Sequence, residues 1–167
     1  HIGFVPQDPF LFSDSIENNI RFGAEEADQI RIENAAKNAA IHENIVRFKK
    51  RYKTILGERG LTVSGGQKQR ISIARALIKD PDILIFDDCL SAVDTETEEA
   101  ILMNLKTISA KKTTFIVSHR ISSVKYADKI IVLDQGQIVQ EGIHEDLVQE
   151  PGYYQEFYKQ QLLEKEH

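Results

Sequence analysis

The sequence predicts an α/β fold with a largely parallel sheet, to which a wholly helical segment is attached. Three observations carry this expectation. Short apolar runs such as "ILIF" and "FIVS" are continuous rather than alternating, as strands buried on both faces are. These runs take turns with helical patterns, the order of a parallel layer. Residues 15–50, by contrast, carry helical spacing and caps and no strand signal.

In chain order, Ile2–Val5 read as a short buried strand stopped by Pro6. The loop "QDPFLFSDS" leads to Ser15, an N-cap for "IENNIRF", which Gly23 ends. "EEADQIRIENAAKNAA" places Ile30, Ala35, Ala39 and Ile41 at near-helical spacing, with acids in its first turn, and "HENIVRF" is a further short helix. After a loop, a helix spans about 66–79 and "DILIFD" is a strand. "DTETEEAILMNLKTI" is a helix capped by Asp94 or Thr95, "TTFIVS" a strand and "ISSVKYA" a short helix. "KIIVLD" is a strand whose hairpin partner "QIVQEG" comes after the turn Asp134-Gln135-Gly136-Gln137. "HEDLVQE" and the aromatic "GYYQEFYKQQLLEKE" are terminal helices, with Tyr153, Tyr154, Phe157 and Tyr158 as a stripe for core or dimer packing.

A formal net charge of −5 gives nucleic acid no bulk electrostatic attraction, so no nucleic-acid partner is expected. The basic cluster Lys49, Lys50, Arg51 and Lys53 reads as a solvated loop. Cys89 is the single cysteine, so no internal disulfide forms, which suits a reducing compartment. No apolar run approaches the roughly 20 residues of a membrane span. "HIGFVP" lacks a charged leader and resembles a core strand, so the chain reads as beginning inside a domain. His42, His144 and His167 lack metal-ligand spacing, and Arg59 and Arg70 read as structural or interface partners.

The chemistry centres on "LTVSGGQKQRISIARALIKDPDILIFDD", residues 61–88. Ser64 stands at an N-cap position, and Gly65 and Gly66 leave backbone N–H groups unobstructed. A helix N-terminus carries about half a positive charge and suits a phosphate. Taken alone, a capped glycine turn without a ligand explains "SGG" as well. The next strand, however, delivers Asp87 and Asp88 to its C-terminal end, where open α/β sheets bind ligands. One acid there can hold Mg²⁺ and another can orient water toward a phosphoryl group. "FIVS" delivers His119 to the equivalent edge, which favours a γ-phosphate contact.

Taken together, these residues resemble the later part of the nucleotide-binding domain of an ATP-binding cassette (ABC) transporter. "FVPQDPFLFSDSIENNI" is similar to the Q-loop region, with Gln7 as its glutamine. "VSGGQ" resembles the signature motif, with Val63 for the commoner leucine; "ILIFD" resembles Walker B, "SAVD" the D-loop and "VSHR" the switch histidine. "ILGERG" is similar to the exporter X-loop, with Glu58 as the contact to a membrane domain. The resemblance implies a truncated P-loop NTPase core of the RecA-like type, with a largely parallel sheet and an α-helical signature subdomain. Residues 1–12 would begin the core and hold the Q-loop, 13–80 would form the helical subdomain, and 81–167 the rest of the core and the C-terminal helices. It further implies ATP and Mg²⁺ as ligands. Asp87 and Gln7 would serve the metal, and Asp88, Gln7 and His119 catalysis. Ser64, Gly65, Gly66, Gln67 and Asp94 would face the nucleotide of a second such domain. The partners would be that domain and a transmembrane domain, at the cytoplasmic face of the plasma membrane.

Two departures qualify the resemblance. No Gly-x-x-x-x-Gly-Lys-Ser/Thr loop occurs: Gly60 and Gly65 have the spacing, but Gly66 and Gln67 come next. In the family that loop lies upstream of the Q-loop. The expectation is a fragment cut after it, unable to bind ATP productively as an isolated monomer. The strand carrying Asp87 would then stand at an open sheet edge, covered by self-association or swapping. Second, Asp88 replaces the usual glutamate base. The ordinary pKa values of the two acids, about 3.9 and 4.3, differ by roughly 0.5 kcal/mol, so basicity barely changes. The missing methylene shortens the reach by about 1.5 Å, and a misplacement of about 1 Å can cost on the order of 100-fold in rate. This resembles the degenerate half of a heterodimeric exporter; a regulatory or soluble ABC-type ATPase that drives no transport is the alternative.

Overall fold

Ile83–Asp87 (β2) is the middle strand of a three-stranded parallel sheet ordered β1-β2-β3, where β1 is Ile2–Val5 and β3 is Thr113–Val117. Ile2 lies opposite Ile83, Ile83 opposite Thr113, and Asp87 opposite Val117. The computed structural model describes residues 1–57 and 62–165. Glu58, the expected contact to a membrane domain, lies outside them, as do Arg59, Gly60 and Leu61. The expected open edge at the Asp87 strand is corrected: β2 has a partner on each side, and β1 and β3 are its outer neighbours. The two compact units are residues 1–117 and 118–167.

In the first unit one sheet face is packed, through Gly3, Val5, Leu84 and Phe86. On the other face Ile2, Phe4, Phe115 and Val117 are 50, 53, 55 and 54% exposed. The helices are α1 (Ile16–Arg21), α2 (Gln29–Asn38), α3 (His42–Arg47), α4 (Gly65–Ile78) and α5 (Thr95–Ile108). Helix α4 is the hub, packing on α1, α2 and β1. Its Ile71, Ile73, Ala74 and Leu77 share one core with Ile16, Ile20, Ile32, Ala36, Leu84, Phe86 and Ile101. Each fully buried large aliphatic side chain contributes about 1.5–3 kcal/mol. Side-chain caps start four of the helices: Ser15 for α1, Asp28 for α2, Ser64 for α4 and Asp94 for α5. Asp94, rather than Thr95, is thus the α5 cap. Segment 15–50 is helical, as its spacing predicts.

The second unit holds α6 (Ile121–Val124), the antiparallel pair β4 (Ile130–Asp134) and β5 (Gln137–Gly142), α7 (His144–Leu147) and α8 (Tyr153–Lys165). Gln135 and Gly136 both have positive φ, 47° and 79°, as a tight two-residue hairpin loop demands. Helix α7 is a single turn, shorter than "HEDLVQE" predicts: the Gln149 and Glu150 N–H groups both turn back on the Asp146 carbonyl, at 3.0 and 3.1 Å, and Pro151 follows. The aromatic stripe of α8 divides. Tyr154 joins Ile121, Ile130 and Leu147 in a small core, with Tyr158 against it, whereas Tyr153 is 55% exposed. His144 Nδ1 lies 2.8 Å from the Tyr154 hydroxyl, so this histidine is a packing residue. Burial, with smaller contributions from Tyr158 and Glu145, pushes the Tyr154 phenol up to about 12.

Candidate functional site

Helix α4 begins with a reciprocal cap. The Ser64 hydroxyl accepts from the Gln67 N–H at 3.2 Å, and Gln67 Oε1 accepts from the Ser64 N–H at 3.1 Å. A serine with a glutamine three residues later supports this geometry. The cap satisfies the Gln67 amide and leaves the Gly65 and Gly66 amides at the positive end of the helix. Gly66 is required by a close approach: a Cβ there would lie 2.8 Å from the Ala92 carbonyl oxygen. A Cβ at Gly65 would meet nothing nearer than 3.8 Å, so space remains in front of that residue.

That space is a cavity of about 350 Å³ lined by Ser64, Gly65, Gly66, Arg70, Ala92, Val93 and Asp94. Arg70 is tied down on three sides. Its Nε donates to the Gly66 carbonyl at 3.2 Å; its Nη1 donates to the Ala40 carbonyl at 2.5 Å and to Asn44 Oδ1 at 3.0 Å. Burial lowers its pKa, opposed by the charge of Asp94. Asp94 accepts from the Thr97 N–H at 2.9 Å. The amide and hydroxyl of Thr97, with a smaller contribution from Arg70, hold the Asp94 carboxyl below its usual range. Two open backbone amides and a fixed guanidinium suit an oxyanion, and Asp94 lines the same cavity.

The acids sit at the other face, on the C-terminal end of β2. Asp88 has φ 44°, a left-handed conformation unusual for a residue other than glycine. Its N–H donates to the Val117 carbonyl at 2.8 Å, while its carbonyl accepts from the Ser91 hydroxyl at 3.0 Å. The loop after β1 brings Gln7 to it, and Gln7 Nε2 donates to Asp88 Oδ2 at 3.3 Å. Strain of this kind gathers at functional sites. Cys89, next in the chain, is 1% exposed; burial first, then Asp88 and Asp87, pushes its thiol up to about 12. It is a packing residue, as its acidic neighbours predict.

The structure thus gathers Ser64, Gly65, Gly66 and Asp94 around one cavity and joins Gln7 to Asp88, while Gln67 works in the cap. Asp87 is half-buried at the strand end, opposite Val117. His119 belongs to the second unit, where it is exposed and its carbonyl accepts from Gln161 Nε2 at 2.7 Å. Two further residues are not apparent from the sequence pattern. Gln69 is a buried glutamine within the apolar face of α4. Arg75 donates from Nε and Nη2 to Asn19 O and Oδ1 at 2.8 and 2.9 Å, and from Nη1 to the Phe10 carbonyl at 2.8 Å. Its guanidinium also lies 5.3 Å from the Phe12 ring centre and 5.9 Å from that of Phe22. Polar residues inside an otherwise buried helical stripe were the available signal.

The residues and their order match known proteins. The model of the family described as ABC transporter matches residues 1–91, more than half of the chain. The multidrug resistance-like ATP-binding protein MdlA of Buchnera aphidicola is 52% identical over 166 residues, 99% of this chain and 29% of that protein. ATP-binding cassette sub-family B member 6 of Xenopus tropicalis is 48% identical over 161 residues, 96% of this chain and 19% of that protein. The structure of a bacterial Atm1-family ABC exporter with ATP bound superposes with a TM-score of 0.91 at 45% identity, over 96% of this chain and 28% of that one. The chain therefore spans less than a third of the length of these relatives. With its fold, its motif order and the family match in agreement, the chain belongs to the ABC transporter family.

Proposed function

We propose that this chain is part of the nucleotide-binding domain of an ABC exporter, which binds and hydrolyses ATP and couples this to export across a membrane. The observation that carries the reading is the pairing of two faces. One is the glycine-lined α4 start with Arg70 and Asp94; the other is the Gln7–Asp88 pair at the C-terminal edge of the parallel strands. ATP would lie between two domains, its terminal phosphates against Ser64, Gly65 and Gly66 of this one and Asp94 beside them. The Asp87 carboxylate at the end of β2 and the side-chain oxygen of Gln7 suit Mg²⁺, which keeps waters and takes one or two carboxylates plus phosphate oxygens. When bound, Mg²⁺ would neutralise phosphate charge. Asp88 and Gln7 would orient the attacking water, and His119 would hold a terminal phosphate oxygen.

A transmembrane domain would dock on the loop after β1 and on the helices of residues 13–80. Exposed Phe10, Phe12 and Phe22, at 66, 36 and 61%, support this, since Phe12 packs on both other rings at 5.2 and 4.7 Å. Glu58 would add to that contact, at the cytoplasmic face of the membrane. In this reading residues 1–12 and 81–167 belong to the ATPase core and residues 13–80 to the helical subdomain. Without a Walker A loop in this sequence, the chain alone would not hold ATP, and Asp88 in place of glutamate makes it the slow half of a heterodimer.

Two measurements test this. Titration calorimetry of the chain with ATP and Mg²⁺ is expected to show no micromolar binding; one-to-one micromolar binding contradicts the two-domain site. The full-length protein in liposomes, assembled with a partner domain whose own site is disabled, is expected to hydrolyse ATP slowly, and His119→Ala or Gln7→Ala to lower that rate by at least about tenfold. Hydrolysis indifferent to both overturns the assignment.

A further inference from the structure

Gln69 lies in the second turn of α4 and is 5% exposed. Its side chain reaches two loops distant in sequence. Nε2 donates to the Gln7 carbonyl at 3.3 Å, and Oε1 accepts from the Ala92 N–H at 3.3 Å. Each loop in turn holds Asp88. Gln7 does so through its side-chain amide at 3.3 Å, and Ser91, beside Ala92, through its hydroxyl to the Asp88 carbonyl at 3.0 Å. One buried amide therefore closes a ring running from the signature helix to the loop after β1, to Asp88, to the turn after β2 and back.

The chemistry of this position is narrow. A carbonyl only accepts and a backbone N–H only donates, so the two partners fix which end of the Gln69 amide is which. An aliphatic residue would leave the Gln7 carbonyl and the Ala92 amide without their partner, in a place where burial makes that costly. A carboxylate could still accept from Ala92 but has no proton for Gln7; a lysine has the reverse defect.

We propose that Gln69 is a positioning residue for the proposed hydrolysis. It keeps the Gln7–Asp88 pair and the Ser91–Asp94 turn in register with the α4 start, so that the acidic face and the phosphate face of the site hold one spacing. The proposal rests on that functional reading for its catalytic consequence, and on the hydrogen bonds alone for its structural one.

The test uses the full-length protein with Gln69→Leu, which removes both bonds, and Gln69→Glu, which keeps the size and the acceptor. Hydrogen exchange at the Ala92 amide is expected to quicken by about tenfold or more in Gln69→Leu and to stay near wild type in Gln69→Glu. With the partner domain's own site disabled, both variants are expected to lose about 10- to 100-fold in kcat with KM for ATP within about threefold. Gln7→Ala combined with Gln69→Glu is expected to be no slower than Gln7→Ala alone, since Gln69→Glu keeps the acceptor for Ala92 and gives up only the bond to Gln7. Unchanged Ala92 exchange in Gln69→Leu overturns the proposal, as does a double variant whose loss is the product of the two single losses. If Gln69→Leu does not fold, Gln69→Glu decides: a wild-type kcat overturns the proposal. If the wild-type protein does not hydrolyse ATP, the proposed function fails, and the exchange measurement still decides whether Gln69 holds the turn.

Discussion

The two ends of α4 carry one arginine each and do different work with it. At the C-terminal end Arg75 is absorbed by packing: Asn19 and the Phe10 carbonyl take its donors, and Phe12 and Phe22 flank its plane. At the N-terminal end Arg70 is braced from behind by Ala40, Asn44 and Gly66, and it still lines an open cavity shared with Asp94. Burial lowers both guanidinium pKa values, but only Arg70 has an acid opposing the shift. A helix end becomes a candidate site where its charges are held by the protein and still face outward. Where they face inward, the same chemistry is structure.

The N-terminal end is most vulnerable at Gly66. Gly66→Val puts a branched side chain where even a Cβ stands 2.8 Å from the Ala92 oxygen. We expect ATP turnover of the full-length protein to fall about 100- to 1000-fold, as on losing a phosphate-site donor; steady-state rates measure it. Arg75→Ala should act on stability instead, at about 2–4 kcal/mol, because the 0% exposed Asn19 loses two charge-assisted bonds. Urea denaturation checks this, and Arg75→Lys should recover less than half, since an ammonium cannot make the fork.

Two smaller effects separate capping from catalysis. Ser64→Ala and Ser15→Ala each remove a helix cap and should each cost about 1 kcal/mol in denaturation experiments, whereas only Ser64→Ala should also slow turnover. Asp94→Asn keeps a cap but not the charge. Because the folded carboxyl of Asp94 is shifted down, its stabilising effect is fully present above the ordinary aspartate pKa of about 3.9 and fades as pH falls through the lower folded value. The stability gap between wild type and Asp94→Asn should therefore shrink in acid denaturation below about pH 4.

Much of this was legible in the chain. The run "ILIF" is a strand because nothing in it is polar. Ser64 and Asp94 are caps because each stands just before a helical run, and the Asp134–Gln137 turn holds its hairpin. The features that resisted reading depend on several distant segments at once. The position of β2 between β1 and β3 is a fact of pairing, not of the strand's own residues. The left-handed backbone of Asp88 depends on its bonds to Val117 and Ser91. Gln69 and Arg75 stand out only as polar residues in an apolar helical stripe, and their partners lie 62 and 56 residues away. Single-residue propensity has no access to such bridges.

At the centre of the proposed function, a triphosphate meets the start of α4 from a second domain. Its most direct test is a structure of the full-length protein with Mg²⁺ and a slowly hydrolysed ATP analogue. Terminal phosphate oxygens within about 3 Å of the Gly65 or Gly66 amide and the Ser64 hydroxyl are the predicted result. Nucleotide bound entirely within one domain, with the Ser64–Gly66 turn facing only water, would contradict it.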